Sequence, residues 1–397
     1  MNVKACVVLC ALLSGCDQPA PAPQSFAGLG EQASGFSQVT RDHPLVFPRD
    51  HGAHEGFRIE WWYVTANLED AQGRDWGAQW TLFRSALRPG AETADWNSPN
   101  LWMGHAALTG PGGHRAGETL ARGGVGQAGV EVQPFRAWIN DWSLQGDEGI
   151  AGLHMEASGQ GFGYNLSLRS DRPLVLHGSQ GYSEKSGKGQ ASYYYSQPFY
   201  RVSGEVERDG LCIAVTGQAW LDREWSSQPL AAGQTGWDWF SLHLDSGAKL
   251  MLFQVREAKG LPYRAGTWAS AQGEVVALRG DQIQLQALAW TRQENGKEVP
   301  TRWRVRVLAY GVDVQVDAVE PRAWMNTRFP YWEGPVRLQG SAGGRGYLEM
   351  TGYEGVCRGV GLPGVWRWGC GACEIERRAG GARSRQRRKP QPDHLNP

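Results

Sequence analysis

The stretch "FRIEWWYVTANLED", residues 57–70, decides how the rest of the chain is read. It alternates, breaks at "AQGRD", and is followed by "WGAQWTLFRSAL", a pattern that predicts two strands joined in a hairpin around Gly73. It also sets an acid against large rings: Glu60, Trp61, Trp62 and Tyr63 stand together. Similar company returns in "WLDREWSSQPLAAGQTGWDWFSLHLD", residues 220–245.

Outward from these two stretches the texture persists. "LWMGHAAL", "GLHMEASG", "FGYNLSLRS", "PLVLHG", "YRVSGEVERDGLCIAVTGQAWLD", "DWFSLHLDSGAKLMLFQVR" and "RWRVRVLAYGVDVQVDAV" alternate over short runs, with Gly, Asp or Asn at the breaks. Long apolar stripes at helical spacing are nearly absent, so an all-β chain is expected. The composition agrees: 54 Gly and 19 Trp among 397 residues suit many short strands joined by tight turns. The length exceeds one ordinary domain. A formal net charge of zero gives no general attraction to nucleic acid or anionic surfaces.

The first residues read as an address. In "MNVKACVVLCALLSGCDQPA" a Lys precedes a short apolar run that ends in Leu13, Ser14, Gly15 and Cys16. Such a run is an export signal, too short to span a membrane as a mature helix. The Leu-Ser-Gly-Cys ending resembles a bacterial lipobox, which makes Cys16 the expected lipidation residue. Acyl chains would hold the protein on a membrane surface facing the periplasm without crossing it. Asp17 resembles an inner-membrane retention residue and leaves the choice of membrane open.

These signs divide the chain into a signal peptide (1–15), a disordered tether (16–40), two β domains (41–228 and 229–355) and a basic, disordered tail (356–397). The domain boundary rests on the polar link "SSQPLAAGQTG", residues 226–236. Cys370 and Cys373 have metal-ligand spacing without a matching second pair, so no zinc site is expected.

Several segments together resemble one family. They are "FPRDHGAHEGFRIEWWYVTANLED", "WGAQWTLFR", "MGHAAL", "HGSQGYSEKS", "ASYYYSQP", "WLDREWSSQ" and "GWDWFSLHLDSG". They resemble the secreted lipocalin-like proteins grouped with carotenoid 1,2-hydratase and with the AttH component of a bacterial ABC-export locus, members often labelled secreted hydrolases. The resemblance covers residues 43–355. It implies two lipocalin-like antiparallel β-barrels packed together, each with its edges closed and an interior wide enough for an apolar ligand. It also implies addition of water to a terminal double bond of an acyclic carotenoid, with no metal or organic cofactor.

That chemistry needs a proton donor beside an apolar slot, neutral before the step and therefore buried among rings. Aromatic faces would stabilise the carbocation that follows. Asp222 and Asp238 are the foremost candidates. In extended chain Trp237 and Trp239 share the face opposite Asp238, whereas Asp222 shares its face with Trp220 and Glu224. Glu224 is the expected second carboxylate, and two close acids split their titrations. His105, in "MGHAAL", is a further assisting candidate. Each acid also has a structural reading, as an ion pair with Arg223 or Arg58. Trp61, Trp62, Tyr63 and Tyr194 are expected to contact ligand, and so are Trp225, Trp237 and Trp239. His51 and His54, with Asp50 and Glu55, are a second grouping of metal-ligand types, and the resemblance implies no metal there. No Gly-x-Ser-x-Gly elbow supports a serine hydrolase.

Two functions follow as expectations. One is a cofactor-free hydratase acting on an isoprenoid or acyl-type alkene. The other is a non-catalytic carrier that presents an apolar molecule to an ABC-type exporter. An envelope scaffold is a third, and it predicts no pocket.

Overall fold

The computed structural model describes residues 34–147, 149–228, 230–231 and 233–353. The signal peptide 1–15, Cys16, most of the 16–40 tether, and the 356–397 tail with its three cysteines lie outside the described residues.

A first sheet is built from β1 (Ile59–Asp70), β2 (Asp75–Ala86), β3 (Asn100–Gly110), β4 (Gly113–Arg122), β5 (Ala128–Val132), β6 (Phe135–Ile139) and β7 (Trp142–Gly146). It continues through β8 (Gly152–Gly159), β9 (Phe162–Arg169), β10 (Val175–Leu176), β11 (Tyr182–Glu184), β12 (Ala191–Arg208) and β13 (Leu211–Ser226). The strand path runs β4-β3-β2-β1-β13-β12-β9-β8-β7-β6-β5. Among the described residues its two ends are not paired with each other, so this barrel is nearly closed.

The second sheet takes β14 (Gln234–Leu244), β15 (Lys249–Glu257), β16 (Tyr263–Ala269), β17 (Val275–Arg279) and β18 (Gln284–Arg292). To these it adds β19 (Glu298–Val307), β20 (Val312–Ala318), β21 (Trp324–Met325), β22 (Tyr331–Gly340) and β23 (Gly344–Met350). Its path, β17-β16-β15-β14-β23-β22-β20-β19-β18, leaves both ends unpaired among the described residues and makes a half-barrel. The fold is thus two lipocalin-like β units, and the expectation of two barrels with closed edges is corrected to one nearly closed and one open. The chain passes from the first sheet to the second between Ser226 and Gln234.

Local chemistry sets the turns. Between β1 and β2 the Asp70 carboxylate accepts the backbone N–H groups of Gln72 (2.9 Å) and Arg74 (3.0 Å), and Gly73 takes a φ of 73°. Between β12 and β13, Asp209 and Gly210 both have positive φ (50° and 84°). A two-residue loop of that kind matches the twist of the longest hairpin in the molecule.

The packing explains why β1 reads as nearly continuous hydrophobicity. Trp62, Val64, Ala66 and Leu68 point into the first barrel, while Ile59 and Tyr63 belong to a separate apolar cluster with Tyr194, Trp220, Trp239, Phe253 and Tyr347. That cluster is the seam between the two sheets, so β1 is buried on both faces. At the seam the Gly77 backbone meets side chains of the second sheet: a Cβ on Gly77 would lie 2.7 Å from both Pro335 Cγ and the Tyr347 hydroxyl. The first barrel is filled by Trp62, Trp76, Trp80 and Trp102. Its interior is a packed core. Room for a ligand lies at the junction of the two sheets, lined by residues of both.

Candidate active site

A cavity of about 610 Å³ opens at the seam. Strand β1 contributes Trp61 and Tyr63, β12 Tyr194, β14 Trp237 and Trp239, and β15 Phe253 and Val255. Asp222 and Glu224 line it from β13, Glu349 from β23 and His105 from β3. An apolar slot bearing a few convergent polar groups, in this size range, is the usual form of a small-molecule site.

Asp222 owes its place to register. It pairs with Tyr63 on one side and Ser196 on the other, and its parity aims it at the seam with Trp220 and Glu224. One oxygen, Oδ1, accepts bonds from Trp220 Nε1 (2.7 Å) and the Ser196 hydroxyl. The other, Oδ2, has no partner within hydrogen-bond geometry among the described residues. Burial pushes the Asp222 pKa up to about 7, against the bonds from Ser196 and Trp220 and the nearby Tyr194 hydroxyl, with Glu224 adding to the rise. At neutral pH, where an ordinary aspartate is fully ionised, a substantial fraction of this acid still holds its proton.

Glu224 is held differently. Its Oε1 accepts from the Ser192 hydroxyl and lies 2.9 Å from Lys185 Nζ, an ammonium that also sits over the rings of Tyr194 (4.7 Å) and Phe253 (4.5 Å). Across the seam Glu349 accepts from Trp237 Nε1 at 2.6 Å. Burial pushes its pKa up to about 7 as well, helped by the charges of Asp222 and Glu224. Glu333, its register partner on β22, accepts the Tyr63 hydroxyl, has no partner for Oε2 among the described residues, and is pushed well above the ordinary carboxyl range by burial and by Glu349. Neighbouring acids in so dry a seam do not all ionise together.

His105 lines the cavity, with Nδ1 3.0 Å from the Tyr331 hydroxyl and Nε2 3.3 Å from Glu118. Burial lowers its pKa against the pull of Glu118. The contacts fit a neutral ring that donates from Nε2 and accepts Tyr331 O–H at Nδ1.

Other expected residues fall elsewhere. Asp238 is off the cavity: it is buried on the opposite face of β14, clamped by Arg256, by Gln254 Nε2 (2.8 Å) and by the Tyr353 hydroxyl (3.0 Å). A carboxylate with that many donors is an anchor, so its candidacy as an acid is withdrawn. Trp62 and Trp225 face the first barrel's interior, where Trp62 Nε1 bonds the His51 carbonyl and Trp225 stacks on His54 at 3.9 Å. Neither reaches the cavity, and both leave the ligand-contact set. Glu60, the acid of the opening stretch, borders the cavity but is held by Arg84, by Arg223 (3.0 Å) and by His54 (3.0 Å), which keep its carboxyl far below the ordinary range despite its burial. Among the described residues no group of three or more His, Cys, Asp or Glu is placed to hold a metal ion.

Sequence reasoning missed Glu349, Glu333 and Lys185. A signal existed for two of them: Lys185 lies in "HGSQGYSEKS", and Glu349 interrupts the apolar run "GYLEM", residues 346–350.

Comparison with known proteins bears on this arrangement. A family model described as AttH-like matches residues 38–353. The crystal structure of a protein provisionally named AttH, from Nitrosomonas europaea, is 34% identical, with a TM-score of 0.72 over 80% of this chain and 100% of that one. Kievitone hydratase from Nectria haematococca shares the fold, with a TM-score of 0.60 and 13% identity over 81% of this chain and 97% of its own. A comparison with curated proteins finds no match. With the family model covering most of the sequence and a relative one-third identical along its whole length, the chain belongs to the AttH-like family.

Proposed function

We propose that the protein adds water to a carbon–carbon double bond of an apolar isoprenoid or acyl-type ligand, by acid catalysis in the seam cavity and without a cofactor. The observation that carries this reading is Asp222: a carboxyl buried in an aromatic-walled cavity, with its pKa raised to about 7 and one oxygen without a partner among the described residues.

In the step proposed, the alkene's π pair takes the proton from Asp222 and forms a C–H bond. The positive charge left on the neighbouring carbon faces the rings of Trp61, Trp237 and Trp239, whose quadrupoles stabilise it. Water then forms the C–O bond and loses a proton to Glu224, the carboxylate beside Lys185. Asp222 and Glu224 are two residues apart on one strand face, about 6.6 Å along β13, which leaves room for substrate and water between them. The fold shared with kievitone hydratase supports this class of reaction, and the apolar walls support the class of ligand.

The test uses an acyclic carotenoid and water labelled with oxygen-18. Wild-type protein gives a hydrated product carrying the label. Asp222→Asn binds the carotenoid as before and loses turnover by about 10³-fold, the scale of a positioned general acid. Binding without any wild-type product instead selects a carrier that presents its ligand to an ABC-type exporter. The Leu-Ser-Gly-Cys motif supports an exported protein anchored through Cys16. Cys16→Ser then releases it from the membrane fraction.

A further inference from the structure

The proposed reaction leaves Asp222 without its proton, and the other wall of the molecule holds a means of returning it. His177 is buried, as are Ser196 and Thr267. Its Nε2 lies 2.5 Å from Ser196 Oγ, the same hydroxyl that bonds Asp222 Oδ1. Its Nδ1 lies 2.8 Å from Thr267 Oγ1. His177 and Thr267 line a second cavity of about 320 Å³, separate from the one Asp222 lines. The rim of that second cavity carries Arg41, Glu184 and Arg279, whose side chains are 59%, 37% and 76% exposed.

We propose that Ser196 and His177 form a proton relay that recharges Asp222 from solvent in the second cavity. The relay rests on the reading of Asp222 as the proton donor, and it adds a function for "PLVLHGSQG" that the reaction itself does not use. Every link has the right polarity in one orientation. Thr267 O–H donates to His177 Nδ1, His177 Nε2–H donates to Ser196, and Ser196 O–H donates to Asp222. When Asp222 is left as a carboxylate, Ser196 gives it a proton at Oδ1 and takes one from His177 Nε2. His177 takes one at Nδ1 from Thr267, which is resupplied by water. One proton enters through the wall and no group is oxidised or reduced; the proton that water left on Glu224 departs to solvent through the open seam cavity, so both acids end the turnover as they began.

The surroundings suit a neutral carrier. Burial and the nearby Lys185 charge hold the His177 pKa well below its ordinary value, and the ring packs 4.0 Å from that of Tyr194. A neutral imidazole with one N–H and one acceptor nitrogen is the form that can pass a proton without storing charge. Ser196 and Asp222 are register partners on β12 and β13, so the inner link is fixed by the ladder. His177 is fixed by its backbone N–H, which bonds the Tyr194 carbonyl at 3.1 Å.

The experiment follows the Asp222 proton and needs no substrate. The infrared carbonyl band of the neutral Asp222 carboxyl is identified by its loss in Asp222→Asn at about pH 6. Rapid mixing into heavy water then times its exchange. Wild type exchanges fast, while Ser196→Ala and His177→Ala slow exchange by roughly 10²-fold, with Thr267→Val between them. Added imidazole enters the second cavity and restores exchange in His177→Ala but leaves Ser196→Ala slow. Thr267→Val, nearly isosteric, keeps the test open should either other variant fail to fold. A wild-type band whose exchange is unchanged in every folded variant overturns the relay and leaves the donor reading standing. Absence of the band overturns both.

Discussion

The interior of the first barrel and the seam each bury an acid among aromatic rings, yet the two acids behave in opposite ways. Glu60 on β1 and Asp222 on the neighbouring β13 are both almost wholly inaccessible. Arg84 and Arg223 share the Glu60 face, so its carboxyl is held far down in the titration range. Asp222 faces the other way, toward Trp220, Tyr194 and Ser196, and its carboxyl is pushed up to about 7. Burial among rings does not make a proton donor. Burial without a guanidinium on the same strand face does.

Neutralising each acid in turn breaks the comparison most sharply. Asp222→Asn costs turnover by about 10³-fold and leaves the fold in place. Glu60→Gln does the reverse: it leaves two buried guanidinium groups short of their partner and lowers stability by about 3–5 kcal/mol, read from urea unfolding. If Glu60→Gln proves neutral, the barrel interior is wetter than its packing shows.

The pH dependence sharpens the contrast further. Glu349, like Asp222, has a raised pKa, about 7 in the fold against 4.5 unfolded. Between those values the unfolded chain has released a proton that the native state keeps, so stability falls as pH rises through the window. Glu349→Gln removes that fall, and relative to wild type the variant gains up to about 3 kcal/mol above pH 7 and nothing below pH 4.5. Glu60 carries the opposite sign: its depressed pKa lends stability above the unfolded value, and that stability is lost as acid protonates it. Denaturant midpoints of both variants across pH separate the two behaviours. A rising profile for Glu349→Gln in acid, rather than in base, would contradict the seam's electrostatics.

The smallest expected effect concerns the wall itself. Trp239→Phe removes the indole N–H that reaches the Tyr194 hydroxyl at 3.1 Å and trims the ring beside the cavity. A loss of about 1 kcal/mol in ligand affinity follows, measured by quenching of the remaining tryptophans. The matched change at Trp225, which faces the barrel interior, alters stability and leaves affinity alone.

Much of this was legible in the primary structure, because strand parity is a local property. Alternation placed Trp237 and Trp239 opposite Asp238, and Asp222 with Trp220 and Glu224, and the structure keeps both pairings. The "AQGRD" break is a turn for reasons written in Asp70 and Gly73, whereas the turn at Asp209 and Gly210 lay inside a stretch that reads as continuous alternation. What parity could not say is which face meets which neighbour. On β1 both faces are buried, so hydrophobicity gives no contrast between seam and barrel interior. Trp62 and Trp225 were for that reason grouped with the cavity rings. Glu349 lies 127 positions from Asp222 along the chain, and only the packing of one sheet on the other brings their charges to bear on each other.

The residues themselves fixed the strands, their turns and the parity of each side chain, since period-two alternation and turn chemistry act within a few neighbours. Tertiary structure alone decided which parity became the seam, which acid met a guanidinium and which was left with its proton. Those outcomes depend on desolvation and on charges supplied by distant strands, and no local pattern carries them.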